Sequence, residues 1–403
     1  MEESVTVGDK FNTRIREWND RIDRVVDSDL YFYNQPIEEL SGGVRVRVRG
    51  REMLMFASYG YLGLLGHPTI NAAAQAAVAE FGTGTHGVRM LAGTLTLHGE
   101  LEQTIARFKG AEDAVTFSSG YVTNLTAIST MVGRHDTVIC DKLNHASIVD
   151  GCLLSGANFV RFKHNDMEDL ERCLRRADPQ SAKLVVVDAV FSMDGDIIDL
   201  PRTVDLCRQY GAWLMVDEAH SIGVLGETGH GIEEHFGLGS VVDLKMGTLS
   251  KTIPSVGGYI AGRADMIRMF RHASRAFIFS AALPPAQAAA AKAAFEVIEA
   301  EPERVEQLRR NSRQFIAGLK AAGFDTMRTE TAIVPVLCGA DERAYTMVQY
   351  CQRDDIFVLP VVSPAVPEGL ARLRATVTAA HTPAEIDRAL DVFSRAGKTA
   401  GIL

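Results

Sequence analysis

From about residue 68 to residue 262 the chain alternates short apolar runs with longer helical stretches, and this alternation restricts its fold more than any other feature. The runs fall at 114–118, 137–140, 184–190, 213–216, 244–247 and 258–261. Short runs this rich in Val, Ile, Leu and Met are the mark of strands buried on both faces. Helical stretches separate most of them, for example 166–177 behind Asn165 or Asp166 as a cap. Such a pattern implies an α/β fold, with a mostly parallel sheet covered by helices on both faces. Ligands in folds of this kind gather at the carboxyl ends of the strands.

The flanking regions read differently. Phe11, Ile15, Trp18, Ile22 and Val25 or Val26 recur at helical spacing, so an amphipathic helix is expected from about 11 to 28. Val44, Val46 and Val48 alternate with Arg45, Arg47 and Arg49, which predicts a half-exposed strand that Gly50-Arg51 turns into a second one at 53–57. After Leu283-Pro284-Pro285, an Ala-rich helix is expected over 284–322. The remainder predicts a smaller α+β domain with strands at 333–337, 357–362 and 372–377. The expected division is an N-terminal helix and hairpin segment at 1–60, a large domain at 61–290 and a small one at 291–403.

With 403 residues, 46% of them hydrophobic, the chain can bury a large core. A formal net charge of -9 argues against general affinity for nucleic acid. No apolar run reaches the roughly 18 residues of a membrane span, and Met1-Glu2-Glu3-Ser4 lacks the basic and apolar regions of a secretory leader. Six scattered cysteines without a Cys-x-x-Cys pair fit reduced thiols in a cytoplasmic protein, and no metal site is expected.

Chemistry concentrates at two strand ends. Trp213-Leu214-Met215-Val216 runs into Asp217-Glu218-Ala219-His220, and Met246-Gly247-Thr248-Leu249-Ser250 runs into Lys251. An amine to hold an aldehyde, and a carboxylate to keep a pyridine nitrogen protonated, are what a pyridoxal phosphate enzyme needs. Gly120 and Tyr121 follow a strand and open a helix, where free amide groups and the helix dipole favour a phosphate. Thr248 and Ser250 add hydroxyls for the same purpose.

Together these motifs resemble the α-oxoamine synthases. They are Tyr61-Leu62-Gly63-Leu64, Gly82-Thr83-Gly84, Ser118-Ser119-Gly120-Tyr121, Asn144-His145-Ala146-Ser147, Phe191-Ser192-Met193-Asp194-Gly195-Asp196, Asp217-Glu218-Ala219-His220, Gly247-Thr248-Leu249-Ser250-Lys251 and Phe279-Ser280. The resemblance covers about 58–382 and implies the fold-type I pyridoxal phosphate transferase architecture (aspartate aminotransferase-like), with a seven-stranded type of sheet. It implies that Lys251 holds the cofactor and then moves protons at the substrate Cα, that Asp217 faces the ring nitrogen, and that His220 reaches the ring oxygen. It further implies that His145 stacks on the ring and can contact the substrate, and that Ser192 contacts the ring or phosphate region. On a strand, Arg372 and Arg374 share one face and spacing does not choose between them; the resemblance points to Arg374 as the grip for the amino-acid carboxylate, a task suited to a planar guanidinium.

Several positions bear on the substrates. Tyr59 resembles a substrate-contacting tyrosine of some serine palmitoyltransferases, although Gly60 is unusual beside it. The segment Val361-Val362-Ser363-Pro364-Ala365-Val366-Pro367 also resembles serine palmitoyltransferases. Relative to 8-amino-7-oxononanoate synthases it lacks an arginine and a threonine on the acyl side. His86 and Val88 stand where the family mostly carries Gly and Ser.

The implied reaction joins a small amino acid (serine first, then glycine or alanine) to an apolar acyl thioester of coenzyme A or an acyl carrier protein, releasing carbon dioxide and thiol. The alternatives are a fold-type I aminotransferase, which shares Asp217 and Lys251, and a non-catalytic subunit. A homodimer with shared active sites is implied, in which Phe279-Ser280 reaches the neighbouring subunit's phosphate. Arg268, Arg271 and Arg275 recur at helical spacing and can meet coenzyme A phosphates or an acidic acyl carrier protein, or form a solvated face.

Overall fold

All six apolar runs form strands of one sheet in the computed structural model, which describes residues 7–403. Met1-Glu2-Glu3-Ser4, read above as lacking a secretory leader, lie outside the described residues. Helix α1 (Val7–Asp27) leads into strands β1 (Glu39–Ser41), β2 (Arg45–Val48) and β3 (Arg51–Met55). Helices α2 (Pro68–Phe81) and α3 (Thr96–Phe108) follow.

Strand and helix then alternate through β4 (Asp113–Phe117), α4 (Gly120–Met131), β5 (Thr137–Asp141), α5 (Ala146–Ser155), β6 (Asn158–Phe162) and α6 (Met167–Arg176). The alternation continues with β7 (Lys183–Asp188), α7 (Leu200–Tyr210), β8 (Trp213–Asp217), the single-turn α8 (Ile232–His235), β9 (Leu244–Ser250) and β10 (Pro254–Gly262). Helices α9 (Ala264–Ala273), α10 (Arg275–Phe279), α11 (Pro285–Ala300) and α12 (Glu303–Ala322) come next. The chain closes with β11 (Ile333–Gly339), α13 (Asp341–Arg353), β12 (Ile356–Phe357), β13 (Pro360–Val361), β14 (Ala371–Thr376) and α14 (Pro383–Thr399).

The large sheet has seven strands in the order β4-β10-β9-β8-β7-β5-β6, and only β10 runs against its neighbours. Alternate residues serve opposite faces. Val185 and Val187 join the core cluster containing Leu101, Leu214, Val216 and Phe295, while Leu184 and Val186 join the one containing Val115, Ile128, Met215 and Phe270. Each such side chain contributes about 1.5–3 kcal/mol on burial, which is why the run is apolar without interruption. The start of α6 matches its predicted cap, since the Asp166 side chain accepts from Asp169 N at 2.9 Å.

Two further sheets complete the fold. One has the order β1-β2-β3-β12 and the other β11-β14-β13. A single strand over 357–362 is corrected here: Ile356–Phe357 pairs in parallel with Leu54–Met55, whereas Pro360–Val361 pairs antiparallel with β14. Pro360 lacks an amide donor and suits the first position of an edge strand. The long helix over 284–322 is also corrected. It is two helices, because Pro302 can neither donate to nor fit beneath the preceding turn. Edge strand β6 and the exposed β1 escaped the apolar pattern, since each carries too few buried residues to show alternation. No described helix is long and apolar enough to cross a membrane.

Candidate active site

The parallel strands β5, β7, β8 and β9 end on one side of the sheet, around a cavity of about 270 Å³. Asp217 is the last residue of β8, Lys251 follows β9, His145 caps α5 just after β5, and Ser119 caps α4 just after β4. Of the residues singled out from sequence, Lys251, Asp217, His220, His145, Gly120, Tyr121, Ser192, Thr248 and Ser250 all line this cavity.

Two hydrogen-bonded chains organise it. In the first, Lys251 Nζ lies 2.8 Å from His220 Nε2, and His220 Nδ1 lies 2.6 Å from the Tyr61 hydroxyl. Arg374 Nη2 donates to the same hydroxyl at 3.5 Å, and its guanidinium lies 4.7 Å from the Tyr59 ring centroid. In the second, His145 Nδ1 meets Ser147 Oγ at 2.7 Å. Asn124 Nδ2 donates both to Ser147 Oγ at 2.9 Å and to Asp217 Oδ2 at 2.7 Å. Asp217 Oδ1 accepts from Ala219 N at 2.8 Å, so both carboxylate oxygens are fixed in position.

The electrostatics follow from crowding charges in a desolvated space. Desolvation brings the Lys251 amine down to about 8, helped by the Arg374 guanidinium and opposed by the Asp217 carboxylate. Burial, together with Lys251, Arg374 and His145, pushes the His220 imidazole well below its ordinary value. His145 is lowered by burial, with Asp217 pulling the other way. Asp188 stands opposite Asp217 in the β7–β8 register, and its carboxyl is raised well above the usual range by burial and by that neighbour.

At the other end of the cavity α4 begins. Ser119 Oγ accepts from Val122 N at 3.2 Å, leaving the first amides of α4 without intrahelical acceptors. Gly120 is required at this point, because a Cβ there would stand 2.8 Å from Thr248 Oγ1. Thr248 Oγ1 and Ser250 Oγ lie 2.9 Å apart beside these amides. An anion fits this corner and a cationic ring nitrogen fits Asp217. Among the described residues the buried Asn124 Oδ1 has no hydrogen-bond partner, an open acceptor in the cavity wall. The donors and acceptors present therefore suit pyridoxal phosphate.

The family described as aminotransferase class I and II matches residues 51–393. The chain is 46% identical over 365 residues to an 8-amino-7-oxononanoate synthase from Geobacter sulfurreducens, covering 90% of this chain and 93% of that one. It is also 42% identical over 393 residues to a serine palmitoyltransferase from Sphingobacterium spiritivorum, covering 98% of each. The chain belongs to the class I and II aminotransferase family, as an α-oxoamine synthase. The solved structure of SPT carrying PLP superposes on this α-oxoamine synthase with a TM-score of 0.94 at 37% identity, covering 99% of this chain and 100% of that one. The fold is that of a fold-type I transferase, and the enzyme is a pyridoxal phosphate-dependent acyltransferase.

Not every candidate residue of this α-oxoamine synthase reaches the cavity. Arg374 and Tyr59 stand beside it, bound to its wall through Tyr61. Arg372 is engaged elsewhere, donating to Asp194 Oδ1 at 2.5 Å. Within one chain Ser280 lies away from the cavity, near Arg89 and Phe117. Arg268 and Arg271 lie on α9 but Arg275 opens α10, so no continuous row forms; Arg271 is held by Asp113 at 2.6 Å. Tyr61, Asn124, Ser147 and Asp188, which line the cavity or bridge to it, were given no role from sequence. Asn124 falls one helical turn after Gly120, and Asp188 ends an apolar strand as Asp217 does, so spacing could have found both.

Proposed function

We propose that this enzyme condenses a small amino acid, serine first and glycine or alanine next, with an apolar acyl thioester. The amino acid loses its carboxylate as carbon dioxide, a bond forms between its Cα and the acyl carbon, and the carbon–sulfur bond breaks. One proton is taken up as the thiol leaves, and an α-amino ketone remains. The observation that carries this reading is the Lys251–His220 contact at 2.8 Å within a cavity that also holds Asp217.

Pyridoxal phosphate would supply the aldehyde that takes up amines and an electron-poor ring that accepts the pair left at Cα. Asp217, fixed by Asn124 and Ala219, would hold the proton on the ring nitrogen. His220 would contact the ring oxygen, His145 would cover the ring face, and Ser192 would brace its edge. The amides of Gly120 and Tyr121, with Thr248 and Ser250, would hold the phosphate, and Ser280 of a second copy would complete that corner. Arg374 would grip the amino-acid carboxylate beside Tyr59, orienting the Cα bond to be broken perpendicular to the ring. The Lys251 amine, lowered to about 8, would take and return the Cα proton.

An apolar acyl group is supported by Val362 and Ala365, which bring neither charge nor hydroxyl to the acyl side. In the test, purified Lys251→Ala protein is given serine, glycine or alanine with a series of acyl thioesters, and thiol release is followed. Wild-type protein should release thiol and the variant should not; a variant that turns over at the wild-type rate refutes the assignment.

A further inference from the structure

His220 is held from both ends. Its Nε2 lies 2.8 Å from Lys251 Nζ on the cavity side, and its Nδ1 lies 2.6 Å from the Tyr61 hydroxyl behind it. Tyr61 is fully buried and does not itself line the cavity, so its hydroxyl acts on the site through His220 and Arg374.

Tyr61 is fixed by the fold on which it sits. Its carbonyl accepts from Ala379 N at 2.7 Å, and its amide donates to Tyr59 O at 3.0 Å. Gly63, two residues on, has a φ of +65° and passes so near Ala380 that a Cβ there would stand 2.7 Å from the Ala380 Cβ. The Tyr61 ring belongs to the core cluster that includes Leu62, Ile222 and Ile253.

The partners of the hydroxyl decide where its proton goes. A guanidinium has donors and no acceptor, so Arg374 Nη2, at 3.5 Å, makes the oxygen an acceptor. Among the described residues the other partner of this hydroxyl is His220 Nδ1. A buried hydroxyl proton left unpaired is costly, so it is donated to Nδ1. Burial pushes the hydroxyl up to about 12, which keeps that proton on it at neutral pH. His220, held well below its ordinary value by burial and by neighbouring cations, is neutral there and carries one proton. With Nδ1 accepting, that proton sits on Nε2.

Lys251 is the competitor. As an ammonium it would donate to Nε2 and drive the ring proton to Nδ1. Binding of the cofactor takes up that amine and removes the competing donor. We propose that Tyr61 is a positioning residue that fixes the tautomer of His220 in the holoenzyme, so that Nε2–H is presented to the ring oxygen of pyridoxal phosphate. This rests on the contact between His220 and that oxygen proposed above. A donor there favours the ionised oxygen, whereas the other tautomer would offer it only a lone pair.

The experiment is nitrogen NMR of the full-length holoenzyme labelled at its histidine ring nitrogens, with the His220 signals identified by their loss in His220→Asn. In wild-type enzyme Nε2 should carry the proton, and Nδ1 should show the shift of an unprotonated acceptor. Tyr61→Phe removes one oxygen and keeps the ring in its core cluster. It should move the proton ratio toward Nδ1 by about 2- to 12-fold, the scale of one net hydrogen bond. The visible band of the bound cofactor should shift in both Tyr61→Phe and His220→Asn. A wild-type proton on Nδ1 overturns the proposal, so the wild-type spectrum decides even if the variant fails to fold. A ratio unchanged in Tyr61→Phe overturns it as well, because another group would then set the tautomer. A band that stays put in both variants refutes the contact between His220 and the ring oxygen, and the proposal with it, an outcome distinct from a fixed ratio.

Discussion

The state of the Lys251 amine can be read directly by changing pH. With the amine lowered to about 8, roughly 9% is neutral at pH 7, against roughly 0.04% for an ordinary lysine near 10.4. Only the neutral amine attacks an aldehyde, so cofactor-free enzyme should capture pyridoxal phosphate about two-hundredfold faster than a solvent-exposed lysine of equal nucleophilicity. The assay mixes cofactor-free protein with pyridoxal phosphate at pH 6 to 10 and follows the visible band of the bound cofactor. The rate should climb steeply up to about pH 8 and level off above it. Neighbouring charges give a second check. Arg374→Ala removes a cation that lowers the amine and should move the bend upward, whereas Asp217→Asn removes the opposing carboxylate and should move it downward. A rate that still rises tenfold per pH unit to pH 10 would refute the argument that desolvation activates this lysine.

Other perturbations separate the parts of the site. Arg374→Ala should weaken amino-acid binding by about 10- to 100-fold, the range for a lost hydrogen bond to a charged group; calorimetry or a spectral titration with serine measures it, and equal loss of acyl-thioester binding would reassign the residue. Asp217→Asn should keep the cofactor bound yet slow exchange of the amino-acid Cα proton in heavy water by about 10²- to 10³-fold, the scale for removing one preorganised electrostatic contact. Lys109 and Glu218 form an ion pair at 2.6 Å with side chains only 2% and 1% exposed, and Glu218 Oε2 also accepts from Ser221 Oγ and Ile232 N. Lys109→Ala should therefore cost about 3–5 kcal/mol in urea unfolding, since the carboxylate left behind is buried and unpaired.

The sequence showed the parts of this protein that repeat a simple physical pattern. Strands buried on both faces are continuous apolar runs, so the six clearest were visible without tertiary information. Asp217 and Lys251 were visible because they interrupt such runs with charge. What escaped was set by partners distant in the chain. Tyr61 gains its place from His220 and Arg374, 159 and 313 residues away, and no local spacing announces that convergence. Spacing could not tell Arg372 from Arg374 either, because what separates them lies far off in the chain: Asp194 holds the first, and the second lies over the Tyr59 ring and bonds to Ser192 O. Strand 357–362 broke because Pro360 hands the chain from one sheet to another, and helix 284–322 broke at Pro302; both prolines were in view, but the continuous pattern around them outweighed them.

The most direct test of the account is a product balance on the wild-type enzyme supplied with carboxyl-labelled serine and hexadecanoyl-coenzyme A. Labelled carbon dioxide, free thiol and a long-chain α-amino ketone should appear in equal amounts, and all three should vanish in Lys251→Ala. Amino transfer to a keto acid with the label retained and no thiol released would contradict the account.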